Sequence, residues 1–186
     1  TGVLTDINNS AAVLPFIKAC KAVGINGLAG VEFRNGSELL YIGIAKNTEG
    51  FKELNDLLTH ANKYKEALPK IAPEWQHVFV IYPYKNRLAA SLRKNEFIGV
   101  RFNQLNKLAM DSLEERARYV LCQAVSFKKQ QYELHQQLRA IDNNILISQL
   151  QANQCGQPDE VFLPKEKLTE ACKAYPEIWE NAKRLI

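Results

Sequence analysis

The residues from Gly2 to Glu32 restrict the fold more than any other stretch of the chain. A short apolar run, Gly2-Val3-Leu4-Thr5, ends in Asp6. Ala11, Leu14, Ile17 and Cys20 then recur at helical spacing, and Gly24 follows as a helix-ending glycine. A second apolar run, Gly27 to Val31, ends in Glu32. Strand, helix and strand in that order spell a parallel βαβ unit, because parallel strands need a crossover between them. The C-terminal ends of parallel strands face the ligand side of a sheet or barrel. Asp6 and Glu32 stand at two such ends, which makes them candidate ligands for a divalent cation. The same residues also suit plainer roles. Aspartate is a favoured helix cap, and Glu32 could be a solvated strand end.

The rest of the chain continues the alternation. Arg34-Asn35-Gly36-Ser37 carries the Asn-Gly hairpin signal, so Gly27–Phe33 and Leu39–Ile44 pair as a hairpin. Asn47 or Thr48 caps a helix whose stripe is Phe51, Leu54, Leu57 and Leu58, running to about His60. Residues 60–76, with Pro69 and Pro73, form a long polar connection. Strands follow at His77–Tyr82, Phe97–Phe102 and Tyr119–Phe127, and short helices at Lys85–Lys94, Gln104–Ala109 and Leu113–Arg118. Gln130–Asp142 reads as a helix with Tyr132, Leu134, Leu138 and Ile141 facing inward. An Asn/Gln-rich loop spans 143–158, and helices near 165–173 and 177–185 close the chain, with Tyr175 and Trp179 packing the last one onto the body. Together these predict an α/β fold with helices outside a mostly parallel sheet or barrel.

Composition sets the class. The chain has 186 residues, 46% hydrophobic and 24% charged, which is ordinary for one soluble domain with a substantial core. The net charge of +4 permits contact with a DNA backbone without requiring it. No apolar run reaches membrane-spanning length, so no membrane partner is expected. The first residues hold no basic stretch followed by an apolar run. Cys20, Cys122, Cys155 and Cys172 form no CxxC pair and read as reduced thiols of a cytoplasmic protein. Thr1-Gly2-Val3 opens directly into a strand-like run, so a further strand and helix are expected upstream.

Several ordered stretches carry a family resemblance. They are Leu4-Thr5-Asp6, Phe16 to Lys21, Gly24-Ile25, Gly30-Val31-Glu32-Phe33, Ile44 to Phe51, Tyr132 to Ile141, and Tyr175 to Ala182. This set resembles the PHP (polymerase and histidinol phosphatase) domains, and among them the N-terminal region of bacterial DNA polymerase III alpha subunits. Residues 60–118 resemble it only loosely. The resemblance implies a distorted (β/α)7 barrel, incomplete at its N-terminus, as a single domain over 1–186. Residues 1–142 would form the barrel core, and 143–186 a loop and helices leading toward the polymerase core. It also implies a cluster of divalent metals at the strand ends, which would activate water for phosphoester hydrolysis.

The departures weaken that chemistry. The family's opening His-x-His pair has no counterpart in this chain. Its Asp-His motif reads Asp6-Ile7 here, and isoleucine has no donor atom. The late motif is replaced by Gln123-Ala124-Val125-Ser126-Phe127, which puts Ala124 and Ser126 where an acid and a histidine are usual. Asp6 and Glu32 alone remain as vestigial metal ligands, able at most to hold Mg²⁺, Mn²⁺ or Zn²⁺ weakly. His60, His77 and His135 belong to no ligand pair and read as surface or partly packed residues. No Gly-rich phosphate loop and no Gly-x-Ser-x-Gly elbow is present. No catalytic or cofactor-binding residue is therefore expected. The resemblance implies instead a structural module that supports the polymerase core and docks the proofreading exonuclease subunit. Two other readings stay open. One is a metal-dependent phosphoesterase whose other ligands lie upstream. The other is a DNA-backbone contact through Lys63, Lys65, Lys70, Lys85, Arg87, Arg93 and Lys94, interleaved with Tyr64, Tyr82 and Tyr84.

Overall fold

The computed structural model describes residues 1–84 and 92–185. The helix expected over Lys85–Lys94 falls mainly on 85–91, outside the described residues. Among the described residues, β1 (Gly2–Ile7), α1 (Val13–Ala22), β2 (Gly27–Asn35), β3 (Glu38–Ala45), α2 (Thr48–Tyr64) and β4 (Val78–Pro83) come first. β5 (Glu96–Val100), α3 (Leu113–Arg116), β6 (Tyr119–Leu121), α4 (Tyr132–Asp142), α5 (Lys165–Ala171) and α6 (Pro176–Leu185) follow. The six strands lie side by side in sequence order in one sheet. β1 and β2 are parallel, β3 is antiparallel to both its neighbours, and β4, β5 and β6 are parallel. The sheet is therefore mixed: five strands run one way, as expected, and β3 alone runs against them, because the hairpin turn at Gly36 reverses the chain at once. It is not closed into a barrel: β1 and β6 form its two edges.

Each sheet face has its own apolar cluster. Ala29, Val31 and Phe33 of β2 belong to the main core, with Tyr41, Val80, Tyr82, Ile98, Val100 and Tyr119 from the other strands and Leu54 and Leu58 from α2. Phe33, Tyr41, Trp75 and Tyr82 form a chain of tilted and edge-on ring contacts there. Tyr175 and Trp179 pack against this core, as the sequence predicts. The other face gathers Val3, Leu28, Ile42, Ile44, Phe79, Ile81, Phe97 and Val120 from all six strands, together with Cys122 just beyond β6 and Leu185 of α6. α6 also covers the β6 edge, where Asn181 donates to the carbonyls of Ala117 and Tyr119, each at 2.9 Å. That contact satisfies edge carbonyls that would otherwise invite another strand.

Local chemistry explains where elements differ from the sequence reading. α2 runs on to Tyr64, whose ring meets that of His60 one turn back at a tilt, and Lys65 ends it in the left-handed conformation. Asn47 caps its start, accepting from the Gly50 amide at 3.0 Å. α1 starts after Ala12 with no side-chain cap, since Ser10 is bonded to Asn55 and Asn9 to the Ala11 amide. The helix expected over 104–109 is a 3-10 helix, Phe102–Met110. The strand expected over 119–127 stops at Leu121, beyond which Gln123 is drawn to the Phe102 amide and the Asp159 carbonyl. α4 is turned the opposite way from expectation: Leu134, Leu138 and Ile141 are exposed and Ala140 is buried.

Candidate functional site at the strand ends

β1, β2, β4, β5 and β6 all point in one direction, so their C-terminal ends share one rim of the sheet. The residues met there are Asp6 to Asn8, Glu32 to Arg34, Arg101, and Cys122 to Ser126. Asp6 is the last residue but one of β1, and Glu32 lies beside Ile7, the end of β1, three residues before the end of β2. Their register sends them apart, however. Asp6 lies beside Val31, and Glu32 lies beside Ile7. Partners across a parallel pair share a face, and successive residues alternate. Asp6 thus shares the helix-covered face with Val31, whereas Glu32 shares the opposite face with Ile7 and Ile42.

Glu32 has its own counter-ion. Arg34, two residues on and on the same face, donates to it, and also donates to the Ser37 carbonyl at 3.2 Å. Asn8 locks the neighbouring strand end. Its side chain accepts from the Arg34 amide at 2.9 Å and donates to the Arg34 carbonyl at 2.8 Å. Asn8 holds φ at 47°, a left-handed conformation that asparagine tolerates better than most residues.

A second ion pair closes the far side of the rim. Arg101 follows β5 and donates to Glu160 at 2.8 Å. Glu160 is buried, and its other oxygen accepts from the Ser126 hydroxyl at 2.6 Å. The Ser126 amide also donates to the Glu160 carbonyl at 2.9 Å. Cys122, the residue after β6, feels one charge of each ion pair. Desolvation pushes its thiol up to about 11, with Arg101 opposing and Glu32 adding to the effect. At neutral pH it stays a protonated thiol, which is a poor nucleophile and a poor metal ligand.

His135 belongs to the same network. Its Nε2 accepts from the Gly156 amide at 2.9 Å, and its ring lies 4.9 Å from that of Phe127. Desolvation, then the Arg139 charge, hold the imidazole below its ordinary range against the pull of Glu160. The neutral ring suits its acceptor role. A Cβ at Gly156 would come within 2.8 Å of the Glu160 carboxylate, so a larger residue there would have to displace it. Of the other histidines, His60 is exposed beside Glu66 and His77 contacts Asn47 at the opposite end of the sheet.

The family resemblance implies divalent cations at this rim, and the donors present do not fit one. Asp6 and Glu32 face opposite ways, Glu32 is occupied by Arg34, and Glu160 by Arg101 and Ser126. Among the described residues no group of three or more His, Cys, Asp or Glu comes together to hold a metal. The basic stretch is also dispersed. Arg93 is bonded to Glu96, Tyr82 and Tyr84 are buried, and Lys85 and Arg87 lie outside the described residues. Among the described residues no helix is long and apolar enough to cross a membrane. Sequence reasoning missed Arg101 and Glu160, which lie 59 residues apart and belong to no motif. No family model matches the chain, and no curated protein matches it.

Proposed function

We propose that this chain is a PHP-type domain of a bacterial DNA polymerase III alpha subunit, serving DNA replication in the cytoplasm as a structural and interaction module without catalysis of its own. The ordered motifs from Leu4 to Ala182 support the family, and the parallel β1–α1–β2 unit fits them. On this reading the six-stranded sheet is an arc of a PHP barrel. The full-length polypeptide would be a DNA-directed DNA polymerase, with its nucleotidyl-transfer residues outside this chain. The partners are then the remainder of the alpha chain and the proofreading exonuclease subunit.

One observation carries the non-catalytic part. Ser126, at the position where the family's late motif has a metal-binding histidine, is committed to the buried Glu160, which is itself paired with Arg101. A hydroxyl bonded in this way braces the rim and does not supply the imidazole nitrogen that a metal-binding histidine would. The test is activity of the isolated chain on a primed DNA template and on a chromogenic phosphoester, each with Mn²⁺ or Zn²⁺. Neither product is expected above the blank. Phosphoester hydrolysis abolished by Glu32→Ala would move the phosphoesterase reading to the front.

A further inference from the structure

His135 holds α4 to the segment that runs into Glu160. Its Nε2 accepts from the Gly156 amide at 2.9 Å. A backbone amide can only donate, so this nitrogen carries a lone pair and the ring proton sits on Nδ1. Two further bonds join the same elements. Arg139, one turn on, donates to the Gln154 carbonyl at 2.7 Å and is paired with Asp142. Tyr132, one turn back, is hydrogen-bonded to Cys155. Arginine stays charged, and burial raises both the Tyr132 phenol and the Cys155 thiol. Of these three bonds, mild acid therefore changes the one made by His135.

That bond cannot survive protonation. An imidazolium has a proton on each nitrogen, so Nε2 would confront the Gly156 N–H with an N–H of its own. An acceptor lies close by. A Cβ at Gly156 would stand 2.8 Å from Glu160 Oε2 and 3.1 Å from His135 Nε2, so both atoms border the space that glycine leaves open. Glu160 Oε2 accepts from the Ser126 hydroxyl at 2.6 Å, and its other oxygen from Arg101 at 2.8 Å. The remaining neighbour is the apolar ring of Phe127, 4.9 Å away. We propose that His135 is a proton-operated latch: neutral, it holds the Gln154–Gly156 segment to α4, and protonated, it releases the Gly156 amide and donates to Glu160 instead. The latch does not depend on the proposed function.

Its direction follows from the surroundings of the ring. Desolvation and the Arg139 charge favour the neutral imidazole and outweigh the pull of Glu160, so release takes up a proton. The hold is complete above the ordinary histidine range. As pH falls below about 6.5, the released population rises by up to about tenfold per pH unit until the held ring itself titrates.

NMR of the whole chain from about pH 8 to about pH 5, following the histidine rings and backbone amide exchange, tests this. The His135 ring should titrate below the ordinary histidine value. Exchange of the Gly156 amide, corrected for its intrinsic rate, should accelerate with acid by at least about tenfold over this range. The amides of Val31 and Val80 in the sheet should keep their protection, which separates release of the latch from unfolding. A glutamine oxygen can accept the same bond without titrating, so His135→Gln should keep Gly156 equally protected throughout. Glu160→Gln removes the receiving charge and should lower the titration of His135 further. Gly156 protection that does not change with pH, or that changes as much in His135→Gln, overturns the latch. A His135 ring that titrates at the ordinary value or above also overturns it, as does one indifferent to Glu160→Gln.

Discussion

Replacing Arg101 by leucine is expected to destabilise the fold by about 3 kcal/mol, because removing one partner of a buried ion pair strands the other charge. Glu160 is 8% exposed and would keep only the Ser126 hydroxyl as a side-chain donor. For a domain of this size the loss corresponds to roughly 10 °C in the unfolding temperature. Two companion variants separate charge from packing. Glu160→Gln keeps one oxygen to accept from Arg101, can turn its amide NH2 to donate to the Ser126 oxygen, and should lose less than Arg101→Leu. Replacing both partners with apolar residues should also be milder than the single change, since no buried charge then lacks its counter-ion. Thermal and urea unfolding of the three variants check the order. If Arg101→Leu were as stable as the parent, the Arg101–Glu160 pair could not be what braces the rim.

Gly50→Ala is expected to be as damaging, for a steric reason. An added Cβ would sit 2.0 Å from the His77 carbonyl oxygen and 2.8 Å from its carbon. That carbonyl already accepts from the Lys46 amide at 2.9 Å, so neither backbone can move without losing the junction between β3 and β4. Alanine is ordinarily the better helix former, and at an unobstructed site in α2 the change would stabilise. Here overpacking against main chain should cost about 3 kcal/mol or more. Urea unfolding measures it. A stabilised Gly50→Ala variant would mean that the start of α2 does not press on the start of β4 as described.

The elements that depend on local pattern were legible in the sequence. The β1–α1–β2 unit, the β2–β3 hairpin and the Asn47 cap follow from apolar periodicity, an Asn-Gly turn and a capping residue, all within a few positions of each other. Features set by pairing were not legible. Whether Asp6 and Glu32 face each other depends on a one-residue register between β1 and β2, which periodicity leaves undetermined. Arg101, Ser126 and Glu160 meet through long loops that carry no motif. The apolar stripe of α4 was visible, but a stripe does not say what it faces. The polar side of the helix turned inward because His135 and Arg139 found backbone partners in the loop ending at Glu160.

Metal content is the most direct test of a rim whose acids are neutralised by arginines rather than by cations. The chain would be equilibrated with Mn²⁺ and Zn²⁺, freed of unbound ions and measured by elemental analysis. The account predicts amounts far below one ion per chain, unchanged by Asp6→Ala or Glu32→Ala. Stoichiometric metal that disappears with either substitution would contradict it.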